Sequence, residues 1–118
     1  MREIVFDTET TGLDPAAGHR VVEIGCVELI NHMPTGETRQ WYLNPQRGMP
    51  EEAFNVHGLS EEFLADKPLF NAVVDDFLTF VDGAVLIAHN ANFDMRFLNA
   101  ELAALDRPNL PKDKVLDT

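Results

Sequence analysis

REIVFDTETTG, the stretch from Arg2 to Gly12, places two acids at the end of a run that otherwise has the pattern of a core strand. Side chains alternate between the two faces of a strand, so Asp7 and Glu9 project from the same face, roughly 6 to 7 Å apart. Two half-buried carboxylates repel each other and lose hydration, so they are tolerated chiefly where something positive lies between them. A hard divalent cation, which prefers oxygen ligands, is the natural candidate.

Length and composition predict one small globular unit. A chain of 118 residues with 45% apolar residues can bury one modest core, so it is a single domain or part of one. The longest clean apolar run, 84–88, is too short to span a bilayer, and the N-terminus lacks a signal-peptide pattern. We therefore predict a soluble, cytoplasmic protein with no membrane partner. The single cysteine, Cys26, is interpreted as a buried structural thiol.

The charge balance limits how the chain can bind a polyanion. Nine basic residues against 20 acidic residues give a net charge of −11. This is the wrong sign for broad electrostatic attraction to nucleic acid. Bound metal ions at one site, or a larger assembly, would have to supply the positive charge for such a substrate. The alternative is that the acids simply form a charged, soluble surface.

Hydrophobic patterning predicts an α/β domain with a mixed sheet. Turn residues separate three N-terminal strands at 2–8, 20–30 and 36–43, and such short connections favour antiparallel neighbours. The later strand 84–88 is apolar at every position, which is typical of a strand covered on both faces. Because a helix precedes it, we expect it to run parallel to an earlier strand. Helices are predicted at 50–56, 60–66, 69–82 and 91–105.

A third acid is expected at the same edge of the sheet. Asp94 follows strand 84–88, whose carboxyl end would lie beside that of strand 2–8 if the two strands are parallel. Taken alone, Asp94 is an ordinary acid in the first turn of a helix, where it complements the helix dipole. Together with Asp7 and Glu9, however, it would supply the oxygen ligands of a two-metal site that activates water.

Three short motifs stand out in the chain: Asp7–Gly12, His57-Gly58 and His89–Asp94. They resemble the first two motifs of the DEDD family of 3′-to-5′ exonucleases, and further matching segments occur in the expected order: Val22–Gly25, Tyr42-Leu43 and Ala53–Gly58. The similarity runs from Arg2 to Thr118 and is greatest to the bacterial proofreading branch of the family. It implies a ribonuclease H-like mixed sheet with helices on both faces. It also implies phosphodiester hydrolysis with two Mg²⁺ or Mn²⁺ ions, releasing nucleoside monophosphates.

The resemblance assigns roles by position. It implies that Asp7 bridges both metals, that Glu9 holds the metal that activates water, and that Asp94 holds the second. Positions that match the family's pocket for a 3′-terminal nucleotide are Thr10, Leu13, Glu52, Val56, His57, His89 and Phe93. For Phe93 and Val56 a plain core role is an equal alternative, and His57 is alternatively a surface histidine. His89 is not assigned as the general base.

The family's third motif, a histidine followed five residues later by an aspartate, is absent from these 118 residues. Its histidine is the family's general base, and its aspartate is the fourth metal ligand. We therefore interpret 1–118 as a partial exonuclease domain, truncated before the last strand and helix and impaired in activity. Asp117 matches a family position ahead of that motif, but we interpret it as structural. In the family, a further strand and a C-terminal helix cover the flank of strand 84–88. Without them the edge of this strand would be exposed, which predicts self-association through it or an origin in a longer protein.

The leading hypothesis is a metal-dependent DNA exonuclease that acts on single-stranded 3′ ends as a proofreading subunit. The resemblance implies two protein partners: the catalytic subunit of a replicative polymerase and, in some lineages, a small stabilising subunit. An RNA-trimming enzyme of the same superfamily is one alternative, because the motifs say little about the 2′-hydroxyl. A non-catalytic fragment that retains a metal and nucleotide pocket is another.

Overall fold

The computed structural model describes residues 1–117, which form a five-stranded mixed sheet in the order β3-β2-β1-β4-β5. β1 is antiparallel to β2, and β2 is antiparallel to β3. β4 is parallel to β1, and β5 is parallel to β4. The strands are β1 (Arg2–Thr10), β2 (Val21–Ile30), β3 (Met33–Tyr42), β4 (Val85–Ala88) and β5 (Val115–Asp117). The expected mixed α/β sheet is therefore confirmed.

Four α-helices lie at or close to the positions expected from the sequence: α1 (Glu51–His57), α2 (Glu61–Leu64), α3 (Phe70–Val81) and α4 (Ala91–Ala104). Ser60 begins α2 by accepting a hydrogen bond from the Phe63 N–H at 3.0 Å, which satisfies one of the free donors of the first turn. α3 buries apolar residues at three- and four-residue intervals, as its periodicity predicts. In residues 1–117, we find no helix with the length and apolar character needed to span a membrane.

The hydrophobic core lies between one face of the sheet and the helices α3 and α4. Ile4 and Phe6 of β1 are 0% and 4% exposed and pack against this layer. On the opposite face, Val5 of β1 and Val27 of β2 are opposite each other and are 38% and 39% exposed. The main core therefore lies on the face that carries Ile4 and Phe6, and the face that carries Val5 and Val27 is partly exposed around these two residues.

Strand register brings the acid-bearing segments to one edge of the sheet. Ile4 of β1 is paired with Leu86 of β4 in parallel register, so the carboxyl ends of both strands point the same way. The register between β1 and β2 shifts between Glu9 and Thr10, which is a β-bulge. Bulges commonly redirect a strand where a functional side chain must be aimed. The site is built at this edge.

The prediction that strand 84–88 would be an exposed edge is wrong. β5 pairs with β4 along Leu86–Ala88, so the backbone of β4 has partners on both sides. The fifth strand is only three residues long, and its sequence pattern is too short to identify a strand without its partner. Self-association through 84–88 loses its physical basis, because an edge that is already paired cannot template another chain.

A buried ion pair joins α4 to the start of β2. Arg20 donates to both carboxylate oxygens of Glu101, at 2.8 Å from Nε and 2.7 Å from Nη2, and Glu101 is 4% exposed. The Val21 N–H donates to the same carboxylate at 3.2 Å. The hydrogen bond to Glu101 raises the pKa of Arg20 above its ordinary value. This contact fixes the helix that carries Asp94 against the sheet.

Candidate functional site

The three acids predicted as metal ligands lie at the end of β1 and in the first turn of α4. Asp7 is exposed, Glu9 is half-buried, and Asp94 is only 3% exposed. Asn90 precedes α4 in the left-handed conformation, with φ 60° and ψ 53°, and this turn leads the chain from β4 into the helix. The Thr8 hydroxyl donates a hydrogen bond to Asp94 Oδ1, which joins the helix directly to β1.

Electrostatic repulsion among the three carboxylates affects the pKa values of Glu9 and Asp94. Burial raises the pKa of Glu9, and the negative charges of Asp7 and Asp94 raise it further. Burial is also the largest cause that raises the pKa of Asp94 to about 6, and Asp7 adds to it against the hydrogen bond from Thr8. Acids whose pKa values are raised by burial and by neighbouring negative charges are typical of functional sites, because folding has concentrated negative charge that a ligand can neutralise.

The donor chemistry of this group fits a hard divalent cation, which takes carboxylate oxygens as ligands. Within residues 1–117, no three His, Cys, Asp or Glu side chains lie close enough to coordinate one ion together. Binding would therefore have to draw these carboxylates inward. Members of the exonuclease family generally use two divalent metal ions. The assignment of Asp7, Glu9 and Asp94 as ligands stays a prediction.

A cavity of about 660 Å³ opens beside Glu9, between the end of β1, the loop 10–19 and α1. Six of the seven residues predicted to form the nucleotide pocket line it: Thr10, Leu13, Glu52, Val56, His57 and Phe93. Leu13 and Val56 are each 80% exposed, so Val56 is not a core residue. Phe93 lines the cavity and also packs on Phe97, with ring centroids 5.0 Å apart. His89, by contrast, follows β4 and does not line this cavity.

His57 lines the cavity and also makes two hydrogen bonds to the backbone. Its Nδ1 accepts a hydrogen bond from the Leu59 N–H at 3.0 Å. Since Nδ1 is the acceptor, Nε2 carries the proton and donates to the Thr10 carbonyl oxygen at 3.1 Å. Both ring nitrogens are thus used to hold the end of α1 against the end of β1. The interpretation of His57 as a surface histidine overlooked this pair of contacts.

Two further residues lie near the site: His19, which was not singled out from the sequence, and Asp117, for which a structural role was expected. His19 lines the cavity, and its only sequence signal is its position in the turn-rich loop after the first motif. Asp117 accepts a hydrogen bond from the Asn90 N–H at 3.0 Å, through an exposed carboxylate. It therefore supports the turn that leads into α4, in keeping with the structural role expected for it. Neither contact can be inferred from spacing, because each joins separate segments of the chain.

Gly12 is required by the position of the His19 ring, which predicts an unequal response to two alanine substitutions. A Cβ on Gly12 would lie 2.5 Å from three atoms of that ring, whereas one on Gly25 would meet nothing within 4 Å. We expect Gly12→Ala to lower the free energy of unfolding by about 1 to 3 kcal/mol through overpacking. Gly25→Ala in β2 is the matched control and should be neutral or slightly stabilising. Urea denaturation measures both, and equal effects would contradict the packing argument.

Titration of Asp94 predicts that stability of the metal-free protein falls as pH rises. A carboxyl whose folded pKa is about 6, above its unfolded value of 3.8, binds its proton more tightly in the folded state. The stabilisation that this proton provides is complete below the unfolded-state pKa of 3.8. It is lost as pH rises through 6, which lowers the free energy of unfolding by about 3 kcal/mol. Glu9 acts in the same direction.

The measurement is urea unfolding in EDTA between pH 4 and pH 7, compared with Asp94→Asn. We expect the variant to lose much of this pH dependence, because asparagine does not titrate. Mg²⁺ or Mn²⁺ at pH 7 should restore stability to the unsubstituted protein, since a bound cation offsets the repulsion. An identical pH dependence in the variant would show that Asp94 is not the titrating group.

Three acids at the edge of a mixed sheet, beside an open cavity, define a candidate hydrolase site whose donor chemistry fits hard cations. The sequence model of the exonuclease family, described as Exonuclease, matches residues 4–118, and the chain belongs to this family. Among curated relatives, it is 56% identical over 110 residues to "DNA polymerase III subunit epsilon" of Rickettsia conorii. It is 46% identical over 115 residues to the protein of the same name from Escherichia coli.

The chain spans about half the length of these curated relatives. The alignment covers 93% of this chain and 48% of the Rickettsia protein, and 94% and 47% for the Escherichia coli protein. The relatives' names therefore describe proteins about twice as long.

Solved structures share the fold. Exonuclease X in complex with 5′ overhanging duplex DNA matches with a TM-score of 0.66 and 28% identity, covering 92% of this chain and 55% of that one. The zinc-ion-bound form of an Escherichia coli exonuclease I complex with single-stranded DNA matches with a TM-score of 0.85 and 16% identity. That alignment covers 98% of this chain and 27% of the other. At this identity the likeness concerns the fold alone.

Proposed function

We propose that the protein is a metal-dependent 3′-to-5′ exonuclease that removes nucleoside monophosphates from DNA 3′ ends, as the proofreading subunit of DNA polymerase III. The observation that carries this proposal is that a group of acids and a cavity lie next to each other at one edge of the sheet. Mutually repelling acids, Asp7, Glu9 and Asp94, lie beside a cavity whose volume suits a single nucleotide. The relatives named DNA polymerase III subunit epsilon support the proofreading assignment.

In this proposal, Asp7, Glu9 and Asp94 would hold two Mg²⁺ or Mn²⁺ ions. When bound, such ions supply a water nucleophile at neutral pH and stabilise the leaving oxygen of the phosphodiester. The chain's own contribution is to keep the carboxylates ionised and correctly placed. The Thr8 hydroxyl does this for Asp94, because a hydrogen bond to the ionised form lowers its pKa.

The terminal nucleotide would lie in the cavity beside Glu9. Leu13 and Val56 form an exposed apolar mouth that can close on a base or sugar, and Phe93 offers a ring for stacking. Glu52 lines the cavity and would accept a hydrogen bond from the 3′-hydroxyl, which a substrate with a blocked 3′ end could not donate. Thr10 and His57 shape the cavity by their bonds to the backbone, and His89 stays a weaker candidate contact.

The partners in this proposal are a single-stranded DNA 3′ end, the DNA polymerase III catalytic subunit and a small stabilising subunit, in the cytoplasm. A net charge of −11 gives the chain little attraction of its own for DNA. Delivery of the 3′ end by the polymerase would overcome that repulsion. We expect binding to isolated DNA to be weak and strongly dependent on divalent cations.

The test follows nucleotide release from a 5′-labelled single-stranded oligonucleotide with Mg²⁺, Mn²⁺ or EDTA. Stepwise shortening from the 3′ end, with 5′-monophosphate products and no cleavage in EDTA, is the expected result. Matched RNA and a 3′-phosphorylated oligonucleotide are the comparison substrates, and both should be cut more slowly. Faster cleavage of RNA would favour an RNA-trimming enzyme, while cleavage within the strand would contradict the proposal.

The same assay should compare the 118-residue chain with a version extended through the family's histidine and aspartate motif. If the extended protein alone turns over, the 118 residues form a binding module that lacks part of the catalytic apparatus. Full activity in the short form would refute the non-catalytic alternative.

A further inference from the structure

His19 occupies a place in the cavity that the surrounding residues are shaped to receive. Its imidazole ring lies directly over Gly12, so that only a residue without a side chain fits beneath it. Its Nδ1 lies 2.9 Å from the hydroxyl oxygen of Thr11, which is fully buried. The ring is half-buried and lines the cavity beside the first acidic motif.

The hydrogen bonds of Thr11 determine which nitrogen of His19 carries the proton. The Thr11 hydroxyl oxygen accepts from the Arg20 N–H at 3.0 Å. Among the described residues, the hydroxyl proton has no acceptor other than His19 Nδ1. A buried hydroxyl is rarely left without an acceptor, so Thr11 donates to Nδ1 and the neutral ring carries its proton on Nε2.

Other polar side chains along the cavity wall are already committed or can only accept. The Thr8 and Thr10 hydroxyls donate to Asp94 and to the Gly12 carbonyl oxygen, and both nitrogens of His57 are used. The carboxylates of Glu9, Asp14 and Glu52 are acceptors when ionised. Among the described residues that line the cavity, His19 Nε2–H is therefore the side-chain donor left for a ligand.

We propose that His19 is a substrate-binding residue that donates a hydrogen bond from Nε2 to an acceptor oxygen of the nucleotide in the cavity. The inference rests on the proposed function, and it names a specific contact for that substrate. A nucleotide carries many hydrogen-bond acceptors, on its phosphate and on its base. The ionised carboxylates that line the cavity are also acceptors, so they cannot pair with them. A single fixed donor in such a wall orients the ligand as well as binding it.

The test is calorimetric binding of thymidine 5′-monophosphate to the full chain with Mn²⁺, for the unsubstituted protein and for variants of His19. His19→Phe keeps a ring over Gly12 but removes the donor, and we expect about a tenfold loss of affinity. His19→Gln places an amide donor near the position of Nε2 and should bind within about threefold of the unsubstituted protein. His32→Phe, at an exposed histidine outside the cavity, is the matched control and should bind normally.

A second pair keeps the inference testable if His19→Phe does not fold. His19→Asn reaches only the position of Nδ1, so it should lose affinity where His19→Gln keeps it. Thymidine without phosphate separates the two sources of the acceptor. If the variants weaken binding of the monophosphate alone, the contact is to phosphate, and if they weaken both ligands equally, it is to the base. Unchanged affinity in His19→Phe and His19→Asn would overturn the inference.

The proton position gives an independent readout. A long-range ¹⁵N–¹H spectrum should show His19 protonated on Nε2, with that nitrogen shifting when the nucleotide is added. A ring protonated on Nδ1 would overturn the inference without any binding measurement.

Failure of this inference can be told apart from failure of the proposed function. Nucleotide binding through His19 in a protein that never hydrolyses DNA would refute the nuclease proposal alone. DNA hydrolysis in a protein whose His19 variants bind normally would refute the His19 contact alone. A protein that does not bind the monophosphate at all refutes the contact, while its nuclease activity is judged by the oligonucleotide assay.

Discussion

Asp7→Ala is expected to lower exonuclease activity of the complete protein by about three orders of magnitude, or on the order of 4 kcal/mol of transition-state stabilisation. The family resemblance implies that Asp7 would hold both metal ions, so its loss would affect the activation of water and the leaving oxygen together. The measurement is the rate of nucleotide release at saturating Mn²⁺. Because chemistry is affected rather than substrate contacts, we expect kcat to fall much more than KM rises.

The same substitution should leave the fold intact. Asp7 is exposed, and its charge raises the pKa values of both Glu9 and Asp94. Removing that charge relieves repulsion in the metal-free protein, so the free energy of unfolding should be unchanged or slightly higher. Glu37→Ala, which removes an exposed acid from the edge strand β3, is the control and should keep normal activity. Loss of folding in Asp7→Ala would instead identify a structural residue.

Glu101→Ala is expected to lower the free energy of unfolding by about 3 kcal/mol. The carboxylate accepts two hydrogen bonds from Arg20 and one from the Val21 N–H while being almost fully buried. Its removal leaves a guanidinium and a backbone donor without their partner. Because the Arg20 side chain is 36% exposed and can reach water, we expect the lower part of the range for broken buried pairs.

Urea denaturation should be measured beside Asp75→Ala, which breaks an ion pair with Arg107 on the surface. Asp75 is 79% exposed, so its pair should contribute less than about 0.5 kcal/mol. Equal losses in the two variants would mean that burial of Glu101 has no special energetic role. We also expect Glu101→Ala to weaken metal binding, because the same pair holds α4, and with it Asp94, against the sheet.

The effect on metal binding should be separable from the loss of stability. Metal affinity measured well below the unfolding transition reports the geometry of Asp94 in molecules that are still folded. Normal affinity there would show that α4 keeps its position without the ion pair.

The regular elements could be predicted because their causes are local. Alternation along 2–8 and the three- and four-residue spacing along 69–82 reflect which side of a strand or helix meets the core, and β1 and α3 follow both patterns. β5 could not be predicted, because a three-residue strand exists only through its pairing with β4. That pairing reversed the expectation about the edge of 84–88.

By itself, the sequence predicted that Asp7, Glu9 and Asp94 belong to one edge of the sheet if strand 84–88 runs parallel to strand 2–8, and the pairing of β1 with β4 confirms that direction. Order along the chain and strand direction are sufficient for that conclusion. Only the tertiary structure decided how the edge is finished: Thr8 bonded to Asp94, Arg20 paired with Glu101, and His19 seated over Gly12. The physical reason is that the first two contacts join separate segments of the chain and the third depends on how a loop folds back on itself, and no local pattern encodes such packing.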